Sequence, residues 1–202
     1  MEMRSARDAG GAGSGSRGAS RKRLSARDWA DAALTAIGEG GLAAVAVEPL
    51  AARLGTTKGS FYWHFANREA LVEAALARWE AVSTEALIEV VEAEPDPTTQ
   101  LRTLFLTATA EAAEDPLEVS LLATADHPQV AAVLRRVTER RLGYVAELFE
   151  RLGFPPEAAR RRGLLAYTSY LGHTQLHHAV PDALPRDPAY LESVLETLFK
   201  RP

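Results

Sequence analysis

Residues 57–65 bring several kinds of hydrogen-bond donor together in one short segment, which reads Thr-Lys-Gly-Ser-Phe-Tyr-Trp-His-Phe. Hydroxyls, an ammonium group, a phenol and an imidazole are donors suited to phosphate oxygens and to the edges of nucleic-acid bases. Glycine, a poor residue in a helix interior, allows a backbone to approach a groove closely. Residues 57–65 are therefore suited to hydrogen bonding with phosphates and bases.

Helical spacing separates a buried side of this segment from an outer side. Phe61 and Phe65 are four residues apart and therefore share one helix face. That geometry leaves four residues outside the buried face or at its margin, namely Lys58, Tyr62, Trp63 and His64. Large aromatic side chains in such an exposed position indicate contact with a binding partner.

The residues before this segment have the spacing of a tight corner between two helices. Ala51 is small enough for the helices to cross closely, Gly55 permits the turn, and Phe61 anchors the second helix. The pattern is typical of a helix-turn-helix, but any tight helical corner has it too.

A second group with possible chemistry lies near the C-terminus. Tyr170, His173 and His177 share one helix face, and a His-x-x-x-His pair can bind a metal if His127 or a carboxylate completes the site. No glutamate follows the first histidine as metalloprotease helices require, which favours histidines of a pocket or an interface. A helical metal-dependent enzyme is therefore an alternative, although no nucleophile with its base and no glycine-rich phosphate loop accompanies it. We predict no metal, no cofactor and no catalytic residue.

The elements that must position these residues are all helical. Apolar residues recur at helical spacing between breaks at glycine and proline, and no useful alternating pattern of a strand occurs. Ser25 with Asp28, then Thr57, Asn67 and Thr98, are expected to cap helices. The sequence predicts an all-α fold of about nine helices, at about 26–38, 47–54, 58–65, 68–93, 98–114, 117–124, 128–152, 156–180 and 188–199.

Charge is distributed unevenly along the 202 residues, whose net charge is −4. Residues 1–70 contain ten Lys/Arg and seven Asp/Glu, a net charge of +3. Residues 71–202 contain thirteen Lys/Arg and twenty Asp/Glu, a net charge of −7. The absence of cysteine excludes disulfides, thiolate zinc sites and cysteine nucleophiles. No stretch approaches the ~20 apolar residues of a membrane span, and no signal pattern opens the chain, so we expect a cytoplasmic protein.

Composition and breaks suggest three parts. Residues 1–23 are rich in Gly, Ala, Ser and Arg and are interpreted as a disordered basic tail, ending in a basic triplet that is either a solvated flank or an arm toward phosphates. Residues 24–69 would form the helix-turn-helix domain. Residues 70–202 would form a larger helical domain for ligand sensing and dimerisation.

The segment at residues 61–71, Phe-Tyr-Trp-His-Phe-Ala-Asn-Arg-Glu-Ala-Leu, resembles the signature of the TetR family of bacterial transcriptional regulators. Ala32-Ala33, Gly41 and Leu50-Ala51 extend the resemblance over about residues 24–71. It implies that Lys58, Gly59, Tyr62 and Trp63 face bases. It also implies that phosphates are held by Thr57, Ser60, Tyr62, His64 and Arg68.

Two departures from the family pattern occur at the second helix. Ala46-Val47 stands where the family has a Ser or Thr cap, so a side-chain cap worth about 1 kcal/mol is missing. Glu48 stands where some members carry a base-reading arginine. It either accepts a hydrogen bond from a cytosine amine or is simply solvated.

The resemblance also implies how the rest of the chain works. Members pair through their last two helices and hold a small molecule between the middle helices, with repression of an operator as the family default. An apolar or amphipathic ligand would release the DNA by moving helix 4. The pocket candidates are Phe105, Tyr144, Tyr167, Tyr170 and His173, although aromatic residues at helical spacing are also typical of a core.

Two further expectations remain open. A protein-binding module with a vestigial helix-turn-helix is a third interpretation of the chain. The basic runs at 135–136, 140–141 and 160–162 are interpreted as solvated helix faces with pairs at i,i+4.

Overall fold

The computed structural model describes residues 24–185, 187 and 189–200, and in these residues it contains nine helices and no strand. The all-α prediction is confirmed. The predicted tail at residues 1–23 lies outside the described residues. The helices are α1 Ala26–Gly40, α2 Val47–Arg53, α3 Lys58–Tyr62, α4 from Arg68 to Glu92, α5 Pro97–Glu114, α6 Leu117–Ala123, α7 Pro128–Arg151, α8 Pro156–Ala179 and α9 Ala189–Phe199.

Local signals set most of the helix ends. Ser25 and Asp28 form a capping box at α1, and the Asn67 side chain accepts a hydrogen bond from the backbone N–H of Ala70 at α4. Gly55 and Gly153 have φ of 63° and 86°, the left-handed conformation that glycine adopts most easily. These capping and turn predictions are therefore confirmed.

Three helix details differ from the prediction. The third helix ends at Tyr62 rather than at about Phe65, and its cap residue Thr57 makes no side-chain capping bond. The cap of α5 is Asp96, which accepts from the N–H of Thr99, rather than Thr98. An aspartate before a proline at the first helical position outcompetes the threonine that follows.

Helix α4 is not regular along its length. It consists of Arg68–Glu80, a π-helical segment Ala81–Ala86 and a final α-helical part Leu87–Glu92. Within the π segment the Ser83 hydroxyl donates to the carbonyl of Trp79, and Arg141 donates to the Ser83 carbonyl. A side chain that enters the backbone ladder is a common cause of such irregularity.

The helix-turn-helix does not have a core of its own. Buried Trp29, Phe61 and Leu71 belong to one continuous cluster with Leu121 of α6 and Val130 of α7. The N-terminal helices therefore pack directly on the larger domain. None of the described helices is long and apolar enough to cross a membrane.

Helices α7 and α8 form the central antiparallel pair of the larger domain. A Cβ at Gly163 of α8 would lie 3.3 Å from the backbone nitrogen of Ala146 in α7, so this glycine permits a close crossing. Two further clusters connect α5, α7, α8 and α9. Helices α5, α7 and α8 of this framework also line the cavity described below.

Candidate nucleic-acid interface and ligand cavity

Helix α3 is anchored by one aromatic side chain and presents others to solvent. Phe61 is 0% exposed, and its ring lies 5.4 Å from Trp29 in an edge arrangement and 5.7 Å from Phe65 in a stacked one. On the outer side, Tyr62 and Trp63 are 57% and 85% exposed. The predicted separation of a buried and an outer face is confirmed.

The other candidate contacts lie on the same outer surface. Thr57, Lys58 and Gly59 are exposed at the start of α3, and Ser60 and His64 are half-buried. The structure thus places a hydroxyl pair, an ammonium group, a phenol, an indole and an imidazole at accessible positions on α3 and on the residues that flank it.

Glu48 is not merely solvated, because it pairs with Lys58. The Lys58 Nζ donates to Glu48 Oε1 at 2.9 Å, which connects the first turns of α2 and α3. This hydrogen bond lowers the pKa of Glu48 and raises the pKa of Lys58. Both groups therefore remain charged over the physiological pH range, and the lysine is held in place on the outer surface.

A cavity of about 760 Å³ lies in the larger domain. Its walls come from α1 and from α4 to α8, and four of the five predicted pocket residues line it. These are Phe105, Tyr144, Tyr167 and Tyr170.

The fifth pocket candidate, His173, does not line the cavity, and this prediction is corrected. Its ring stacks on His177 at 6.4 Å and on Tyr190 of α9 at 5.9 Å. Burial and the neighbouring His177 lower the pKa of His173. The residue belongs to the packing of α8 against α9, which sequence spacing along α8 alone does not reveal. Among the described residues, no three metal-ligating side chains lie close enough together to hold a metal.

A buried polar cluster forms one wall of the cavity, and sequence reasoning missed it. Arg141 donates to Glu118 at 2.8 Å and to the Thr84 hydroxyl at 3.0 Å. The Tyr170 hydroxyl donates to the other Glu118 oxygen at 2.6 Å, and burial raises the pKa of this tyrosine. Tyr170 is therefore a neutral donor at physiological pH. The expectation that the run at 140–141 is solvated is wrong for Arg141, whose side chain is 14% exposed.

Comparison with known families identifies the N-terminal part. The family model of bacterial regulatory proteins, tetR family, matches residues 30–75. Residues 30–75 are a TetR-family domain.

Solved structures share the fold beyond this domain. A transcriptional regulator from Rhodococcus sp. Rha1 is 22% identical, with a TM-score of 0.69 over 87% of this chain and 94% of the other. SmeT, the repressor of the Stenotrophomonas maltophilia multidrug efflux pump SmeDEF, is 21% identical, with a TM-score of 0.61 over 88% and 87%. No curated protein sequence matches the chain.

Arg68 has an internal role in the TetR-family domain. Its Nε donates to the carbonyl of Val45 at 2.7 Å, and a second guanidinium nitrogen donates to the carbonyl of Leu42. These bonds connect the start of α4 to the α1–α2 connection. The phosphate contact that the family resemblance implies for Arg68 stays a prediction.

We expect Arg68→Ala to lower the free energy of unfolding by about 1–3 kcal/mol, because two backbone carbonyls lose a charged donor. Arg68→Lys should recover little of this, since an ammonium group lacks the guanidinium fork. Urea denaturation measures the change. If Arg68→Ala leaves stability unchanged but reduces the salt dependence of DNA binding, the arginine acts on phosphate instead.

Proposed function

We propose that the protein is a TetR-family transcriptional regulator that binds duplex operator DNA through α2 and α3. The observation that carries this proposal is the outer face of α3. It exposes Lys58, Tyr62 and Trp63 within a domain that matches the family model. Donors of these types suit phosphates and base edges, and the first 70 residues have a net charge of +3, with ten Lys/Arg against seven Asp/Glu.

We further propose a homodimer formed through α8 and α9. Leu164, Leu165 and Leu176 of α8 are between 42% and 52% exposed, and Val180 at the C-cap of the helix is 48% exposed. Contiguous exposed apolar residues are typical of an interaction site. A two-fold dimer would place its recognition helices about 34–36 Å, or a modest multiple of that distance, apart and would select a near-palindromic operator.

A ligand-released repressor is the form of regulation that the proposal includes. The cavity is of the size that small-molecule sites have. The fold is shared with SmeT, whose described role is repression. A regulator of this kind acts in the cytoplasm, where its DNA lies, and no catalytic role is assigned to it.

Release of the operator DNA requires that the ligand bind more tightly to the arrangement of the DNA-binding helices that does not fit the DNA. Helix α4 starts beside the candidate DNA contacts and lines the cavity with Arg78, Trp79 and Val82. Its π-helical segment lies in the cavity wall. We propose that α4 transmits the change, with α1 as a second path because Leu34 and Gly38 also line the cavity.

Selection from random duplex DNA followed by binding at several salt concentrations tests the function. We expect His64→Ala to weaken binding to all selected sequences to a similar extent, because a hydrogen bond to phosphate carries no sequence information. Lys58→Ala should instead change the base preference at one or two positions.

Arg135→Ala is the matched control for Lys58→Ala, since it removes one exposed positive charge from α7, outside the candidate DNA contacts. This variant should leave both the salt dependence of DNA binding and the base preference unchanged. If Lys58→Ala loses the same affinity for every sequence, Lys58 contacts phosphate rather than bases. If no DNA is selected at all, the protein-binding module becomes the better explanation.

A further inference from the structure

We propose that the cavity binds an amphipathic organic cation. The apolar body of the ligand would lie along the aromatic walls, and its positive charge would lie beside the carboxylates at the end of α5. This inference rests on the proposed function in one respect, since it takes the cavity as the site that senses the ligand.

The charges of the cavity lining are strongly unbalanced. Six acidic residues line it, namely Asp31, Glu39, Glu111, Glu114, Asp115 and Glu118, against only Arg78 and Arg141. Both arginines are paired with acids of the same lining. Arg78 bonds Asp31 at 3.0 Å, and Arg141 bonds Glu118 at 2.8 Å. Neither arginine is therefore available to an anionic ligand without breaking an existing pair.

The excess negative charge is concentrated at one place. Glu39 pairs with Arg53 at 2.6 Å, and the remaining acids, Glu111, Glu114 and Asp115, lie exposed at the C-terminal end of α5. One Asp115 oxygen also accepts the backbone N–H of Leu117 at 2.9 Å. A helix C-terminus carries a partial negative charge, and the last turn of α5 has no basic residue of its own. One carbonyl of this turn, that of Ala112, accepts a hydrogen bond from Nε2 of His178 at 2.7 Å. Within the described part of the chain, the lining offers no third basic residue. This end of the cavity therefore favours a cation and repels an anion.

The remaining walls suit an apolar, aromatic body. Trp79 and Phe105 line the cavity together with Tyr167 and Tyr170, whose rings stack at 6.1 Å with 26° between their planes. Aromatic faces attract cations as well as apolar groups. A small hydrated cation would gain nothing from these walls, so the ligand must be large as well as positively charged.

The position of the carboxylates connects such a ligand to the TetR-family domain. Gly38 of α1 lines the same end of the cavity, and its carbonyl accepts a hydrogen bond from the Ser120 hydroxyl at 3.1 Å. A Cβ at Gly38 would lie 3.4 Å from an oxygen of Asp115. A cation at this end would thus lie where α1 packs on the α5–α6 corner.

Two probes of nearly the same size and shape but opposite charge test the proposal: tetraphenylphosphonium and tetraphenylborate. Each is titrated calorimetrically into the full-length protein without DNA. We expect the phosphonium ion to bind about tenfold more tightly than the borate or better. Ala108→Phe, which fills the cavity from its lining, should abolish the binding.

The variant Glu111→Gln/Glu114→Gln should weaken phosphonium binding about five- to tenfold and improve borate binding. Glu89→Gln, an exposed acid of α4 outside the lining, is the control and should change neither. The proposal is overturned if the phosphonium ion does not bind, if the borate binds equally well, or if the double variant keeps the preference. Because no DNA is present, these outcomes are independent of DNA selection, so this inference and the proposed function fail separately.

Discussion

Arg141→Met should lower the free energy of unfolding by about 3–5 kcal/mol, because it leaves the carboxylate of Glu118 buried without its cation. The Glu118 side chain is 7% exposed, and Arg141 provides its only guanidinium partner among the described residues. The same arginine also holds Ser83 and Thr84 of the π-helical segment. Urea denaturation of the full-length protein measures the loss.

The double variant Arg141→Met/Glu118→Leu is expected to recover most of this loss, since removing both members of a buried pair is far less costly than removing one. Arg136→Met provides a comparison on the same helix. Arg136 pairs with Glu80 at 2.6 Å but is 54% exposed, so its loss should cost about 0–1 kcal/mol. Similar costs for Arg141→Met and Arg136→Met would show that burial of the Arg141 pair has no energetic consequence.

Phe61→Ala should cost about 3–5 kcal/mol and abolish binding to the selected operator. The Phe61 ring is fully buried between Trp29 and Phe65, so its removal leaves a cavity under α3. Without that anchor, the outer face of α3 loses its fixed position. Denaturation and DNA titration of the same variant measure the two effects.

Trp63→Ala, at the C-cap of the same helix, should reduce DNA binding without destabilising the protein. Trp63 is highly exposed, so we expect stability to stay within about 0.5 kcal/mol while operator affinity falls. If Phe61→Ala binds DNA normally, or if Trp63→Ala binds DNA normally and unfolds more easily, the assignment of the buried and outer faces is wrong.

Much of the fold could be predicted because its signals are local. Ser25 and Asp28 are three residues apart, and Asn67 caps a backbone N–H three residues away. Gly55 and Gly153 occupy backbone conformations that their own residue type determines. The faces of α3 followed from the helical period in the same way, so the sequence located the candidate DNA contacts.

The cavity's polar wall could not be predicted, because its members are distant in sequence. Arg141 stands in a run of basic residues that suggests a solvated face, and only packing brings it to Glu118 and to Ser83, 23 and 58 residues away. Burial of that pair depends on which side of α7 faces α4 and α6.

The sequence by itself therefore determined the helices, the caps at Ser25 and Asn67 and the outer face of α3, since neighbours within one helical turn control these features. Tertiary structure decided three further matters. Glu48 pairs with Lys58, and Arg68 donates to two backbone carbonyls. His173 packs against Tyr190 of α9 and does not line the cavity. In each case the physical reason is the same: the partner lies on another helix or connection, and only the packing of helices determines which side chain meets it.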